Sequence, residues 1–412
     1  MSQVGYRPTG HLPALDGLRG VAILAVILLH FTFYTDATAV DAVFSSITKS
    51  GWAGVDLFFV LSGFLITRIL LAAKGAPGYF RNFYARRALR IFPLYYAYLL
   101  SVTVVLPLIF PTNEDVAWWS SNAFWHWTYL SNVLPLASGQ TAEWSYRPNG
   151  HLWSLSVEEQ FYLLWPLVVF LLSRRGLFIA CIGIIMGAVA ARLTVALATN
   201  YAAAYMFLLP ARMDTLAIGG LLALACLTHY DLLARYAPRA LLASGTLLVV
   251  LSIPSRRLGM ETPLQVSAGL TLLAVFCAAL LMCSLVNQPR VLGSRFLTTI
   301  GKYSYCMYVV HLIAGDFVGR HVRELSIPAV FGSQLPMELT SVLVGTAVTF
   351  GIAWSSWHLW EKHWLKLKAR FDNRNEGVAA LRARPAASAN TGGFTLLTRT
   401  EPLESARDSI AP

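Results

Sequence analysis

From Leu12 to about residue 360 the chain alternates long apolar runs with short polar connections. The apolar runs recur near the ~20-residue length that spans a bilayer as a helix. They lie near 14–34, 52–72, 91–110, 153–172, 177–198, 206–227, 240–253, 266–286, 303–319 and 338–360. The pattern predicts an all-α polytopic membrane protein of about ten transmembrane helices. The seventh run is short, and the sixth contains Arg212 and Asp214. The longest connection, 111–152, is rich in Trp and Tyr and is expected to lie on, or re-enter, the membrane interface. Beyond about residue 371 the apolar pattern stops and Ala, Arg, Ser, Thr and Pro dominate. That predicts two parts: a membrane domain over 1–370 and a disordered cytoplasmic tail over 371–412. No internal repeat is visible. The first apolar run is longer than a cleaved signal segment, and no small-residue cleavage site follows it, so it is read as a retained helix.

Positive charge gives the runs a direction. Lys74, Arg81, Arg86, Arg87 and Arg90 crowd the connection between the second and third runs. Arg174, Arg175, Arg235, Arg239, Arg290, Arg295 and Lys302 fall in later even-numbered connections, with Lys362, Lys366, Lys368 and Arg370 after the last run. Odd-numbered connections are poorer, with Lys49, Arg147, Arg256, Arg257, Arg320 and Arg323. Both termini are therefore expected on the cytoplasmic side. Composition agrees with a membrane protein: 56% of residues are hydrophobic and 13% charged, where soluble domains carry about a quarter charged. The net charge of +11 is a topology signal on this distribution, and nucleic-acid binding is not inferred from it. Cys181, Cys226, Cys277, Cys283 and Cys306 all fall in apolar runs without CxxC or metal-like spacing. They read as small apolar residues, with no disulfide and no metal site.

Ionisable groups inside such runs are expensive to insert and point to function. Arg19 and His30 flank the apolar stretch Val21–Leu29 of the first run. Their offset is close to three helical turns, so both project from one face, about 16 Å apart along the axis. On the predicted topology Arg19 sits toward the cytoplasm and His30 toward the outside. Imidazole can take a proton from a hydroxyl, whereas the bland alternative is a histidine hydrogen-bonded within a bundle. Arg86, Arg87 and Arg90 follow at helical spacing and would form a guanidinium fork suited to phosphate. A plain positive-inside anchor explains them as well. His151, Glu158 and Glu159 enter the fourth run. Ser156 and Glu159 fit an S-x-x-E capping box, while His151 and the second carboxylate could orient His30 or hold a hydroxyl acceptor. Arg212, Asp214 and Asp56 could line a substrate path, but interhelical ion pairing is the favoured role for each. His311 and Asp316 match an H-x4-D spacing that turns the two apart on a helix, so that match is read as chance. The chain has no G-x-S-x-G elbow, P-loop, HExxH or G-x-G-x-x-G.

Taken together, several of these segments resemble the acyltransferase 3 family of integral-membrane O-acyltransferases. They are Leu15-Asp16-Gly17-Leu18-Arg19-Gly20 with its R-x10-H spacing to His30, Gly54-Val55-Asp56-Leu57-Phe58-Phe59 running on to Ile66, and Arg87-x-x-Arg90 before Ile91-Phe92-Pro93. Trp153-Ser154-Leu155-Ser156-Val157-Glu158-Glu159-Gln160-Phe161-Tyr162, Arg212-x-Asp214, and Gly301-Lys302-Tyr303-Ser304-Tyr305 with His311 complete the set. The likeness covers roughly residues 12–365, and Glu361-Lys362-His363 departs from the family's E-x-P by lacking the proline. The likeness is expected to be to the standalone form, without the extracytoplasmic esterase-like domain fused to some members. The resemblance implies ten helices around an intramembrane site in a bacterial inner membrane. It further implies acyl transfer, usually acetyl from acetyl-CoA, to a hydroxyl of a glycan or glycosylated small molecule outside the cytoplasm. On that reading Arg87 and Arg90 meet the acyl-CoA phosphates and Arg19 positions the donor or polarises its carbonyl. His30 acts as base or acyl carrier, and Glu158 orients His30 or the acceptor. The alternatives are a glycan transporter or flippase with a charged path, and a structural or sensor membrane protein.

Overall fold

A computed structural model describes residues 12–138, 149–198, 205–253, 262–325 and 327–371. The tail expected over 371–412 lies beyond these residues except for Phe371, and Arg147, Arg256 and Arg257 also fall outside them. Ten long helices are described: α1 (Pro13–Phe31), α2 (Ala53–Ala73), α3 (Tyr79–Leu100), α4 (Trp153–Leu171), α5 (Arg174–Ala198), α6 (Leu209–Ala225), α7 (Tyr230–Ser252), α8 (Leu270–Asn287), α9 (Arg295–Glu324) and α10 (Leu335–Ser356). Each of the ten predicted runs overlaps one of them, although 91–110 shares only its first half with α3. No β-strand occurs among the described residues. Six helical segments are long and apolar enough to cross a membrane: Pro13–Phe31, Ala39–Ala73, Tyr79–Ile109, Arg174–Ala198, Gln265–Asn287 and Leu335–Phe371. Of the remaining helices, α6 is 17 residues long, and polar groups interrupt the apolar sequence of α4, α7 and α9.

Three boundaries differ from expectation for one physical reason. Helix α3 starts at Tyr79, so Arg86, Arg87 and Arg90 lie within a helix and not in the connection before it. Helix α7 starts at Tyr230 and carries Arg235 and Arg239, and α9 runs for 30 residues from Arg295. Apolarity reports contact with lipid or core, whereas the backbone hydrogen-bond ladder continues past the membrane surface into charged turns.

Two close helix approaches set the geometry that follows. In α1 and α9, Gly17 and Gly20 face the backbone carbonyls of Leu292 and Leu297, and Gly301 faces that of Asp16. A Cβ on Gly301 would stand 1.8 Å from the Asp16 oxygen, so only glycine permits this approach. The two helices run in the same direction, because Gly301 lies beside Gly20 and His311 lies beside His30. Between α2 and α6, Gly63 and Gly219 play the same part against Leu216 and Val60.

The connection from 111 to 152 folds back onto α3 and α4 where it is described. It contains short helices over Glu114–Ser121 and Ala123–Trp127. The Tyr95 hydroxyl donates to the His126 carbonyl at 2.8 Å, and the Gln160 amide donates to the Tyr129 carbonyl at 2.8 Å. After α1 the chain is fastened by Glu338 of α10, which accepts from the Phe33 amide at 2.6 Å.

Candidate active site

Arg19 of α1 and Arg87 and Arg90 of α3 line one cavity together with Glu158 and Glu159 of α4. Ser62 of α2, Ser154 and Tyr162 of α4, and Ser304, Tyr305 and Tyr308 of α9 complete its polar lining. The α1–α9 contact brings Arg19 to this cavity, and its guanidinium is held by Asp16 at 2.7 Å, one turn earlier. Arg87 stacks over the Tyr162 ring at 5.3 Å. Glu158 accepts from the Ser62 hydroxyl at 2.6 Å, and Tyr162 donates to that same Ser62 oxygen at 2.9 Å. Glu159 Oε1 is buried with no hydrogen-bond partner among the described residues. Arg86 is exposed and is not among the residues that line the cavity.

His30 lines a second cavity, with Tyr34, Asp115, Asp316, Arg320 and Arg323. Its Nδ1 lies 2.9 Å from the Val26 carbonyl oxygen. A carbonyl oxygen only accepts, so in the neutral ring Nδ1 carries the hydrogen and Nε2 keeps its lone pair. That is the form a general base requires. Arg19 and His30 thus serve different cavities at opposite ends of one helix. Glu158, expected to orient His30 or the acceptor, instead lies in the arginine-lined cavity with Ser62 as its partner. The structure does not bring Glu158 to His30.

Two more imidazoles join the cavities. The His30 and His311 ring centroids are 4.9 Å apart, and those of His311 and His151 are 4.7 Å apart. His311 donates from Nδ1 to the Tyr308 carbonyl at 2.6 Å, and His151 donates from Nε2 to the Val309 carbonyl at 3.0 Å. The remaining ring nitrogens, His311 Nε2 and His151 Nδ1, are buried and without a hydrogen-bond partner among the described residues. The Tyr308 hydroxyl reaches Ser154 Oγ at 2.5 Å and the His151 carbonyl at 3.0 Å, which leads to the arginine-lined cavity.

His311 was set aside in the sequence because its spacing to Asp316 carries no geometry. Asp316 instead pairs with Arg320, and both line the cavity that His30 lines. A different spacing held the signal: Gly20 precedes His30 by ten residues, and Gly301 precedes His311 by ten. Glycines that lock two parallel helices in register place the later histidines side by side. The S-x-x-E capping box is absent, because α4 begins at Trp153 and Ser156 sits inside it, 2.8 Å from Ser131 Oγ.

Asp56, Arg212 and Asp214 are taken up by two buried ion pairs, and none of them lines the arginine cavity. Arg212 Nη2 donates to both Asp56 oxygens at 2.9 Å, which joins α6 to α2. Arg212 also lies over the Trp153 ring at 5.5 Å. Asp214 is gripped bidentately by Arg192 of α5 at 2.9 and 2.8 Å, and Thr271 of α8 donates to it at 2.6 Å. Arg192 is fully buried and was missed in the sequence, where one cation in a long apolar run barely changes the hydropathy. The described residues contain no group of side chains that could hold a metal ion. All five cysteines are free.

The acyltransferase 3 family model, described as an acyltransferase domain, matches residues 12–358. The chain belongs to the acyltransferase 3 family. Among curated proteins, 193 residues are 34% identical to a candidate peptidoglycan O-acetyltransferase, YrhL, of Bacillus subtilis, covering 44% of this chain and 28% of that protein. The peptidoglycan O-acetyltransferase OatA of Listeria monocytogenes is 38% identical over 168 residues, 39% of this chain and 25% of its own length. A candidate O-acetyltransferase of Staphylococcus aureus strain COL is 26% identical over 405 residues, 92% of this chain and 60% of its own length. The chain therefore spans 60% or less of each of these relatives. No solved structure matches it. The apolar helices and the family together make this acyltransferase 3 member a multi-pass membrane protein.

Proposed function

We propose that this chain is an O-acyltransferase that moves an acyl group, most simply acetyl, from acyl-CoA to a hydroxyl of an extracytoplasmic glycan. In this reading all ten long helices cross a bacterial inner membrane, and residues 12 and 371 face the cytoplasm. The observation that carries the proposal is a division of labour along α1. Arg19 lines a cavity with two further arginines, His30 lines a second cavity, and a run of buried imidazoles lies between them. Arg87 and Arg90 hold the phosphates of the cytoplasmic donor, for which guanidinium is well suited. Arg19, anchored by Asp16, meets the donor closer to the thioester. The acceptor enters from the outer cavity, and His30 Nε2 removes its hydroxyl proton. Glu158 and Glu159 are assigned to the donor side, since both line the arginine cavity. The names of the relatives favour a peptidoglycan-type acceptor.

The donor assignment has a kinetic signature. Replacing Arg90 or Arg87 with glutamine is expected to raise the KM for acetyl-CoA about tenfold or more, because each removes charge-assisted hydrogen bonds worth about 1.5–3 kcal/mol. Arg86→Gln is expected to change it less than twofold. Steady-state thiol release by purified protein reads this out. Equal KM values for wild type and Arg90→Gln would remove acyl-CoA from this cavity.

A further inference from the structure

His311 is a buried imidazole, and the transfer outlined above gives it no role. It is fully buried, 4.9 Å from the His30 ring and 4.7 Å from the His151 ring. Its Nδ1 hydrogen is committed to the Tyr308 carbonyl, so its orientation and tautomer are set. Its Nε2 is buried with no partner among the described residues, although a stranded polar atom costs about 1–3 kcal/mol. Such an atom is tolerated where it acts as an acceptor during the working cycle.

The reaction supplies the donor. When His30 Nε2 takes a proton, both its nitrogens carry hydrogen and a cation appears inside the membrane domain. Of the carboxylates near it, Asp316 is paired with Arg320, and Asp115 lines the cavity from the connection after α3. No carboxylate is hydrogen-bonded to His30 in the described structure. The nearest base with a free lone pair on the inner side is His311. We infer that His311 holds, at Nε2, the proton that His30 takes from the acceptor hydroxyl, until the departing thiolate claims it. This rests on the acyl-transfer reading above.

The step balances. The acceptor O–H bond breaks, and its electron pair forms the new C–O bond to the thioester carbonyl carbon. The C–S bond breaks with its pair left on sulfur. One proton passes from oxygen to His30, is shared with His311, and ends on sulfur as the free thiol. No oxidant, reductant or metal is needed. His151, whose Nδ1 is likewise unpartnered, stands behind His311 as a second neutral acceptor. His311 acts through His30, so it is a positioning residue that does not itself touch the reacting carbon.

The test uses full-length protein in detergent with acetyl-CoA and a soluble glycan acceptor. His311→Gln keeps a hydrogen-bonding amide in the same space but cannot hold a proton. It is expected to lower kcat at least tenfold, with the KM for acetyl-CoA within twofold of wild type. In mixtures of H2O and D2O the wild-type rate should fall along a bowed curve, as two moving protons require, and the variant along a straight line. A purely structural role would leave the bowed curve in place. A kcat within twofold of wild type, or a raised KM with a bowed curve, would overturn the assignment. His30→Ala, measured in parallel, separates the two claims. If it is inactive while His311→Gln is fully active, only the role of His311 falls. If His30→Ala is itself fully active, the base assignment beneath it falls.

Discussion

His30→Ala is expected to lower acceptor-dependent release of thiol from acetyl-CoA by about 10²–10⁴-fold, the usual contribution of a positioned general base. The size of the effect follows from the surroundings of the ring. Its Nδ1 is tied to the Val26 carbonyl, which leaves Nε2 as the basic atom. Nothing else lining that cavity is a neutral base. Asp115 and Asp316 are carboxylates, and Arg320 and Arg323 are cations. The variant should still fold, because His30 is only half-buried and its hydrogen bond is to its own helix. Binding of acetyl-CoA should survive, since the arginines line the other cavity. Turnover within threefold of wild type would show that His30 is not the base.

The second large effect is on stability. Arg192→Met leaves Asp214 buried among α5, α6 and α8 without its cation. Breaking a buried pair from one side costs about 3–5 kcal/mol, so the protein should unfold at markedly lower temperature in detergent. The double variant Arg192→Met with Asp214→Leu removes both charges and should recover most of that loss, because two well-packed apolar side chains carry no desolvation cost. Thermal unfolding followed by tryptophan fluorescence checks both. A single variant as stable as wild type would mean that the pair contributes nothing to the packing of these helices.

The helices were legible in the sequence to different depths, and the reason differs from one to the next. Apolar runs marked where the long helices lie, because lipid and core select the same side chains over a span, and six of the helical segments are long and apolar enough to cross a membrane. Their charged ends were not visible: Arg87 and Arg90 read as a connection although they lie on α3, where the helix continues past its apolar stretch. Arg19 and His30 were found because ionisable groups stand out in an apolar run; their separation on one helix read as two stations along one pathway, and they line different cavities. Glu158 was found as a carboxylate entering an apolar run, but its partner was not, since Ser62 is 96 residues away in the chain and ordinary in composition. His311 was visible with the Gly301 segment in the family likeness, yet it was given no role, because the only geometric spacing weighed for it was that to Asp316. Asp56 and Arg212 were expected to find partners on other helices. That they find each other depends on the α2–α6 approach at Gly63 and Gly219, which no local pattern encodes.

The proposed function depends on a donor and an acceptor meeting from opposite sides of a membrane. The most direct measurement places purified protein in vesicles, sorts them by orientation, and supplies acetyl-CoA on one side and glycan acceptor on the other. Acetylated glycan is expected when acetyl-CoA is on the side bearing Lys74 and Arg86 and the acceptor is opposite, and no thiol release is expected when the acceptor is omitted. Thiol release at the same rate without acceptor, or acetylated glycan formed only when both substrates share one side, would contradict transfer across the bilayer.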